Sequence, residues 1–363
     1  MHGAAGRARA DSFMRLQGLI AAAGMSSRMD GFKPLMELNG FPMIRMTVQS
    51  LKNAGIRDIT VVTGCRHREM EAVLLPLGVQ VVENRAYRET DMFASFRLGL
   101  SRLLEKAETD AVFFLPGDIP LVSPESMGRM KQGVCRAAGD TEALLPMADG
   151  NAAHPPVILA GGCEKVLRYG GEGGLRGAFA RMRTEPVELS GDPGALADAD
   201  YRRDFEKLTV YAKKHKGVSE GICERWYEEA GLPEPARRYG RSVGRLAGWM
   251  AERLVESGIC LDVELCRSGG YVCGFSGGGD MAGAFLRVRG YEALAELAGG
   301  DRWSGREPET VCREDTLVYL AGKLSRGDPD FQKMSPVGDR ILGKGGICER
   351  LLKEFEVMTG ERL

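Results

Sequence analysis

The chain of 363 residues contains no apolar run that approaches the roughly 18 residues of a membrane-spanning helix. Residues 1–13 also lack the apolar core of a signal peptide, which indicates a disordered leader or a start assigned too early, ahead of Met14. The net charge is only -1, so bulk charge does not indicate a nucleic-acid or membrane-surface partner. Together these absences predict a protein of the cytoplasm.

Residues that hold metals or form disulfides are also sparse or poorly spaced. The nine cysteines are odd in number, and no two have Cys-x-x-Cys spacing. This pattern predicts scattered reduced thiols and not a disulfide framework or a zinc site. The chain has only four histidines, and none follows His215.

The first two hundred residues alternate between strand and helix signals. Apolar, β-branched runs predict strands over 16–23, 59–63, 79–83 and 111–115. Helical spacing of apolar residues predicts helices over 42–54, 69–77 and 93–106. This alternation predicts an α/β fold, a doubly wound and mostly parallel sheet with helices on both faces and a site at the carboxyl ends of its strands.

Beyond residue 205 the strand signal fades and helical periodicity replaces it, as over 241–255. We therefore predict a leader over 1–14, an α/β domain over 15–207 and a mostly α-helical domain over 213–363. Seven glycines lie between residues 269 and 283. Because glycine in a helix costs about 1 kcal/mol relative to alanine, this stretch is predicted to be a loop or a weakened helix.

The first predicted strand runs into a turn of small residues followed by cations. The segment 22–28 reads Ala22, Ala23, Gly24, Met25, Ser26, Ser27 and Arg28, and Lys33 follows. Small residues let the backbone approach a triphosphate, and successive N–H groups can cradle the phosphates. The two cations would neutralise charge that moves to a leaving pyrophosphate. The alternative is an ordinary small-residue turn after a strand.

Carboxylates and one histidine supply the remaining candidate chemistry. Gly117 and Asp118 follow the strand 111–115, where a carboxylate can hold Mg²⁺ or cap a turn. Asp198 and Asp200 are candidates for a second metal ligand, or are solvated loop acids. His154 precedes a proline, a position more typical of a loop residue than of a ligand.

Taken in order over residues 16–207, these segments resemble the MobA-like nucleotidyltransferase family, and most closely its molybdenum cofactor cytidylyltransferase branch. The resemblance implies a Rossmann-like fold and a Mg²⁺-dependent attack by an acceptor phosphate on the α-phosphate of a nucleoside triphosphate. The start Ala22-Ala23-Gly24 implies CTP as donor, because a Gly-Gly start goes with guanosine nucleotides. Molybdopterin is the implied acceptor, and a molybdoenzyme the implied partner. A sugar phosphate or alcohol phosphate acceptor, or a non-catalytic cofactor-binding or chaperone protein, is the alternative.

The resemblance also implies a role for each matching residue. The catalytic residues would be Arg28, Lys33 and Asp118. The nucleotide would be bound by the segment 22–28 with Lys33, Asn84, Ser95 and Gly117. Asp118 with Asp198 or Asp200 would hold the metal, and His154 would lie on the acceptor side.

The chain departs from the family pattern at three places. Asp30-Gly31 stands where the family has a Gly directly after Arg-Met. Ala153 stands where the family has a Gly directly before His-Pro. The segment 90–95 replaces the Gly-Met of the base-contacting segment.

In the second domain, residues 233–254 and 316–328 resemble an HD-type phosphohydrolase domain, a fold that holds metal through histidines and aspartates. At the matching positions this chain has Tyr239, Cys273-Gly274, Asp301 and Gly322. With no histidine after residue 215, we predict a degenerate HD-like domain without metal and without hydrolase activity. Its glycine-rich stretch would be a relaxed remnant of that site, or be retained for packing, dimerisation or docking.

Overall fold

The computed structural model describes residues 14–26, 31–106, 108–189, 191–196, 201–275, 281–298, 308–325 and 347–362. The chain divides into two compact units, Met1–Leu208 and Thr209–Leu363. The described part of the first unit is an α/β structure, and that of the second is helical. The predicted leader lies outside the described residues except for Met14.

A central sheet of eight strands organises the first unit. The strands of the unit, in chain order, are β1 (Leu16–Ala22), β2 (Glu37–Leu38), β3 (Phe41–Pro42), β4 (Asp58–Thr63), β5 (Gln80–Glu83), β6 (Ala111–Pro116), β7 (Ala143–Ala148), β8 (Asn151–Ala152), β9 (Val157–Leu159) and β10 (Thr184–Glu188). Strands β2 and β3 form a separate two-stranded hairpin, and the other eight form the central sheet. The order across the sheet is β10-β7-β9-β6-β1-β4-β5, and β8 pairs with β7. The pairs among β6, β1, β4 and β5 are parallel, whereas β9 runs antiparallel to both β6 and β7. The predicted, mostly parallel Rossmann-like sheet is therefore confirmed.

Helices cover both faces of this sheet. The helices of the first unit are α1 (Met43–Lys52), α2 (His67–Leu74), α3 (Met92–Leu104), α4 (Pro124–Arg136), α5 (Ala160–Arg168) and α6 (Gly174–Phe179), and α7 (Arg202–His215) continues into the second unit. Successive residues of β1 show the two faces, because neighbouring side chains of a strand point in opposite directions. A Cβ at Gly18 would lie 2.8 Å from Leu51 of α1, whereas Leu19 contacts Gly99 of α3. The sheet is thus covered on both faces, as the sequence pattern predicts.

The second unit is a helical bundle around a buried apolar core. Its remaining helices are α8 (Glu220–Glu229), α9 (Glu234–Glu256), α10 (Val263–Val272), α11 (Met281–Val288), α12 (Glu292–Ala298), α13 (Glu314–Leu324) and α14 (Ile347–Thr359). Helix α9 buries the predicted stripe of Val243, Leu246, Met250 and Leu254. Burial of this stripe explains why its 3.6-residue period is visible in the sequence.

The glycine-rich stretch, predicted to be a loop or a weakened helix, begins as a helix. Gly269 and Gly270 lie inside α10 and are buried. A Cβ at Gly270 would stand 2.5 Å from the Cα of Gly244, and a Cβ at Gly244 would stand 2.3 Å from the ring of Tyr271. These glycines let α9 and α10 approach backbone to backbone, so tertiary packing outweighs the low helix propensity of glycine. Residues 276–280 of the stretch lie outside the described residues.

Among the residues that the structure describes, none of the helices has both the length and the apolar character needed to cross a membrane.

Candidate active site

A cavity of about 210 Å³ opens where β1 and β6 end, at the carboxyl edge of the parallel strands. The end of β1 and the turn after it contribute Ala22, Ala23, Gly24 and Ser26 to its wall. Lys33, Ser95, Gly117 and Asp118 line it as well. The structure therefore brings together eight residues that the sequence analysis selects from four separate segments. A cavity at this edge is where ligands bind in open α/β sheets.

The wall formed by β1 and the Pro-Gly turn after β6 is packed backbone against backbone. The Gly117 N–H donates to the carbonyl of Ala21 at 2.9 Å. A Cβ at Gly117 would stand 2.6 Å from the Cβ of Ala22, so only glycine fits here without displacing β1. At Gly24, by contrast, a Cβ would meet no atom of the described residues within 4 Å. The backbone at Gly24 therefore borders open space, which a phosphate can approach closely.

Lys33 and Asp118 form an ion pair in the cavity. The Lys33 Nζ lies 3.6 Å from the Asp118 Oδ2, and the two side chains are 10% and 27% exposed. Lys33 begins the short 3-10 helix Lys33–Leu35, and its N–H donates to the Ser26 Oγ at 3.2 Å. Because burial of an unpaired ammonium group is unfavourable, the carboxylate of Asp118 stabilises the lysine inside the cavity. The cavity lining thus contains a positively charged group that can bind an anionic ligand.

The segment between β5 and α3 forms the opposite flank. Asn84 is buried, and its Nδ2 donates to the Thr90 Oγ1 and to the Ser95 Oγ, each at 3.0 Å. Its Oδ1 accepts from the Ala86 N–H at 3.0 Å. Thr90 and Ser95 line the cavity, but Asn84 lies behind them. Its geometry is that of a residue that holds this segment in place, and its predicted contact with the nucleotide stays a prediction.

Several residues of this flank were not predicted from the sequence to bind the nucleotide. Tyr87, Thr90, Asp91 and Met92 line the cavity. The segment 90–95 stands at the base-contacting position of the family pattern, but only Ser95 of it was predicted to bind the nucleotide. Asp91 is the N-cap of α3, and its Oδ1 accepts from the Ala94 N–H at 2.8 Å. An aspartate directly before a helical apolar pattern is a readable N-cap signal, and it could have identified Asp91.

Other predicted site residues lie elsewhere or are not described. Ser27, Arg28, Asp198 and Asp200 lie outside the described residues. Met25 is 52% exposed, and it borders the cavity-lining turn without lining the cavity itself. The predicted roles of these five residues stay predictions.

His154 is half-buried and does not line the cavity. Its N–H donates to the carbonyl of Ala195 at 2.9 Å, and its Nδ1 has no hydrogen-bond partner in the described part of the chain. Burial lowers the pKa of His154 to about 4. The imidazole is therefore neutral near pH 7, and its predicted place on the acceptor side stays a prediction.

The donor set at Asp118 is compatible with magnesium. Mg²⁺ is usually bound by one or two carboxylates together with phosphate oxygens of the substrate. Asp118 supplies one carboxylate in the cavity, beside open space at Gly24. Within the described ranges, no group of three or more His, Cys, Asp or Glu side chains could hold a metal ion by itself. A metal here would therefore depend on substrate oxygens or on the undescribed Asp198 and Asp200.

In the second unit, two of the positions matched to HD-type ligands contact each other. The Tyr239 hydroxyl donates to the carbonyl of Gly322 at 2.9 Å. The thiol of Cys273, which directly follows α10, donates to the carbonyl of Gly269 inside that helix at 3.5 Å. Asp301 lies outside the described residues. The described side chains at these positions are engaged in contacts between or within helices, and the degenerate HD-like assignment stays a prediction.

Comparison with known families finds a similarity within the first unit. Residues 18–187 match the sequence model of a family described as "MobA-like NTP transferase domain". This segment is therefore similar to MobA-like NTP transferase domains over a little less than half of the chain. It contains the cavity, the Lys33–Asp118 pair and the flanking segment after β5.

Individual relatives are similar over this same part. The chain is 28% identical to the molybdenum cofactor guanylyltransferase of Histophilus somni, over 54% of this chain and 98% of that protein. It is 29% identical to the choline-phosphate cytidylyltransferase of Haemophilus influenzae, over 30% of this chain and 49% of that protein. With the bifunctional protein GlmU of Rhizorhabdus wittichii the identity is 32%, over 42% of this chain and 30% of that protein. The chain thus spans less than half the length of these last two relatives.

Among solved structures, a nucleotidyl transferase from Methanothermobacter thermautotroptrophicus is 24% identical to this chain with a TM-score of 0.47. The match covers 54% of this chain and 97% of that structure.

Proposed function

We propose that the first unit transfers CMP from CTP to a phosphorylated acceptor, with Mg²⁺ as cofactor and pyrophosphate as the second product. The observation that carries this proposal is the Lys33–Asp118 pair, 3.6 Å apart and largely buried in a cavity at the carboxyl edge of the sheet. The small-residue turn after β1 forms the adjoining wall. A cation, a carboxylate that can hold Mg²⁺ and a turn that a phosphate can approach closely are components of a triphosphate site.

The reaction needs no covalent chemistry from the protein. An oxygen of the acceptor phosphate attacks the α-phosphorus of CTP and forms the new P–O bond. The bond between the α-phosphorus and its bridging oxygen to the β-phosphate breaks, and pyrophosphate leaves with that electron pair. Lys33, and Arg28 by its place in the sequence, would stabilise the charge that develops on the leaving group.

Asp118 is the residue proposed to hold the metal, together with Asp198 or Asp200. When bound, Mg²⁺ would neutralise charge on the triphosphate oxygens. The ion pair supports this assignment, since it places a carboxylate next to the space that the phosphates would occupy. Lys33 would turn from Asp118 to the phosphates once these ligands are present.

CTP is the preferred donor because β1 ends in Ala22-Ala23-Gly24, the start that goes with cytidine nucleotides in the resembling family. Molybdopterin is the preferred acceptor, supported by the similarity to a molybdenum cofactor guanylyltransferase over nearly its full length. A sugar phosphate or alcohol phosphate is the alternative, supported by the similarity to a choline-phosphate cytidylyltransferase. His154 on the acceptor side, an inert second unit, a molybdoenzyme partner and a cytoplasmic location belong to the same proposal.

Pyrophosphate release tests the reaction. The full chain would be incubated with Mg²⁺, each of the four ribonucleoside triphosphates and, in parallel, molybdopterin, choline phosphate or a hexose phosphate. We expect release that requires both CTP and an acceptor, and that is fastest with molybdopterin. Nucleotide binding without release in any combination would replace the transferase proposal by the non-catalytic cofactor-binding alternative.

A further inference from the structure

Two hydroxyl groups of α1 contact the turn 117–120, which follows β6. The Thr47 Oγ1 donates to the carbonyl of Gly117 at 3.3 Å, and the Ser50 Oγ donates to the carbonyl of Pro120 at 3.0 Å. Both hydroxyl-bearing residues are buried, and each contact joins residues 70 positions apart in the chain. The two contacts thus lie at the two ends of the turn, on either side of the carboxylate proposed to hold the metal.

These contacts differ from the ordinary role of a hydroxyl inside a helix, which is to donate to the carbonyl one turn earlier. Thr47 and Ser50 also have that contact, each at 3.2 Å, with the carbonyls of Met43 and Met46. A hydroxyl has one proton, so each is shared between a carbonyl of α1 and a carbonyl of the turn. Residues three positions apart lie on one face of a helix, and this face of α1 is therefore the one that holds the turn.

Helix α1 is also joined to the segment that carries the other member of the ion pair. The Met43 N–H at the start of α1 donates to the carbonyl of Met36 at 2.8 Å. Met36 directly follows the short 3-10 helix that begins at Lys33, and its own N–H donates to the Lys33 carbonyl. One helix therefore contacts the segments of both charged groups, and its hydrogen bonds help to set the separation of Lys33 and Asp118.

The peptide groups of Gly117 transmit the position of α1 to Asp118. The Gly117 N–H donates to the carbonyl of Ala21 in β1, and the Gly117 carbonyl accepts from Thr47. Because this carbonyl belongs to the peptide bond that links Gly117 to Asp118, a shift of its oxygen moves the Asp118 backbone. A buried carbonyl that loses a donor is unfavourable, so removal of the hydroxyls would let the turn move towards another partner.

We propose that Thr47 and Ser50 are positioning residues of the transferase site, which hold the turn 117–120 so that the Asp118 carboxylate faces the bound Mg²⁺ and triphosphate. This inference rests on the proposed function, because it takes Asp118 to be a metal ligand. Neither hydroxyl-bearing residue lines the cavity, so both would act through Asp118 and not by contact with the nucleotide. Removal of a group that orients a metal ligand typically changes metal affinity or activity by roughly 10- to 100-fold.

The double variant Thr47→Val, Ser50→Ala removes both hydroxyls and keeps most of the side-chain volume. Thr47→Ser is the conservative variant, since it retains the hydroxyl that contacts the turn. Thr60→Val is the matched control, because Thr60 is a buried residue of β4 whose Oγ1 donates to Gln80 of β5 at 3.3 Å. This control also loses a hydroxyl contact between two elements of the same unit, but not one with the turn. If urea unfolding shows that the double variant does not fold, Ser50→Ala alone takes its place.

Calorimetric binding of CTP to the full chain without acceptor, once with Mg²⁺ and once with EDTA, is the test. The ratio of the two dissociation constants gives the metal-dependent gain in affinity. We expect this gain to fall by roughly 10- to 100-fold in the double variant, towards its value in Asp118→Asn, while the affinity in EDTA stays unchanged. Thr47→Ser and Thr60→Val should retain the gain of the natural chain.

Two outcomes would overturn the inference and leave the proposed function intact. The first is an undiminished metal-dependent gain in the folded double variant. The second is an equal loss of affinity with Mg²⁺ and with EDTA, which would indicate a purely structural role of the hydroxyls. If instead the natural chain binds no CTP, or if Asp118→Asn has the same metal-dependent gain as the natural chain, the proposed metal site and this inference fail together.

Discussion

Replacement of Lys33 by methionine removes the ammonium group from the cavity and retains most of the side-chain volume. At 3.6 Å, with an effective dielectric constant of about 20, the Coulomb attraction to Asp118 amounts to about 4–5 kcal/mol. Desolvation of the two partly buried groups offsets much of this attraction. We therefore expect the free energy of unfolding to fall by up to about 2 kcal/mol, because Asp118 stays partly desolvated after the lysine charge is removed, although its 27% exposure limits the loss.

The effect on transfer should be much larger. Loss of one preorganised donor to the charge that develops in the transition state typically costs about 2.7–4 kcal/mol, or on the order of 10²–10³ in rate. Steady-state pyrophosphate release would measure this effect, and urea unfolding would measure stability. Lys52→Met is the matched control, because the Lys52 Nζ donates to the carbonyl of Leu77 and does not line the cavity. A folded Lys33→Met variant that keeps more than a tenth of the natural kcat/KM would refute the role given to Lys33.

Two further predictions concern stability. Gly270→Ala should lower the free energy of unfolding by about 1–3 kcal/mol, because its Cβ would stand 2.5 Å from the backbone of Gly244. The control is Gly221→Ala in α8, whose Cβ would meet no atom of the described residues within 4 Å, so this change should be neutral or stabilising by up to about 1 kcal/mol. Equal effects of the two substitutions in thermal unfolding would contradict the packing described for α9 and α10. The pKa of His154 is lowered to about 4, so the unfolded chain takes up a proton below pH 6.5 that the folded chain refuses until about pH 4. As the pH falls from 6.5 to 4, the free energy of unfolding should therefore decrease by about 1.4 kcal/mol per pH unit more in the natural chain than in His154→Gln. Parallel pH profiles of the two proteins would rule out an imidazole that stays neutral in the folded chain.

Much of the fold can be read from the sequence because local pattern and tertiary role agree there. The buried run of β1, the strand β6 and the helix α3 have apolar patterns that correspond directly to their burial. The same agreement brings Lys33 and Asp118 to one cavity, since the carboxyl ends of neighbouring parallel strands meet at one edge of the sheet.

The remaining features depend on contacts between distant segments. The glycines of α10 look helix-breaking in isolation, and only the approach of Gly244, 26 residues earlier in the chain, explains why Gly270 belongs in a helix. The three-residue strand β9 is too short for a periodic signal, and its antiparallel place between β6 and β7 depends on pairing. Asp91 is a cap by its local sequence, but its place in the cavity follows from how the segment after β5 folds over β1.

The most direct test of the account is transfer of labelled CMP from CTP to a phosphorylated acceptor by Asp118→Asn, compared with the natural chain. Asp149→Asn is the matched control, because Asp149 is an exposed aspartate in the left-handed turn before β8, a conformation that asparagine adopts readily. The account predicts acceptor labelling by the natural chain and by Asp149→Asn, and a loss of at least about 10²-fold in Asp118→Asn without loss of the folded state. Undiminished labelling by Asp118→Asn would contradict the assignment of the Lys33–Asp118 cavity as the transferase site.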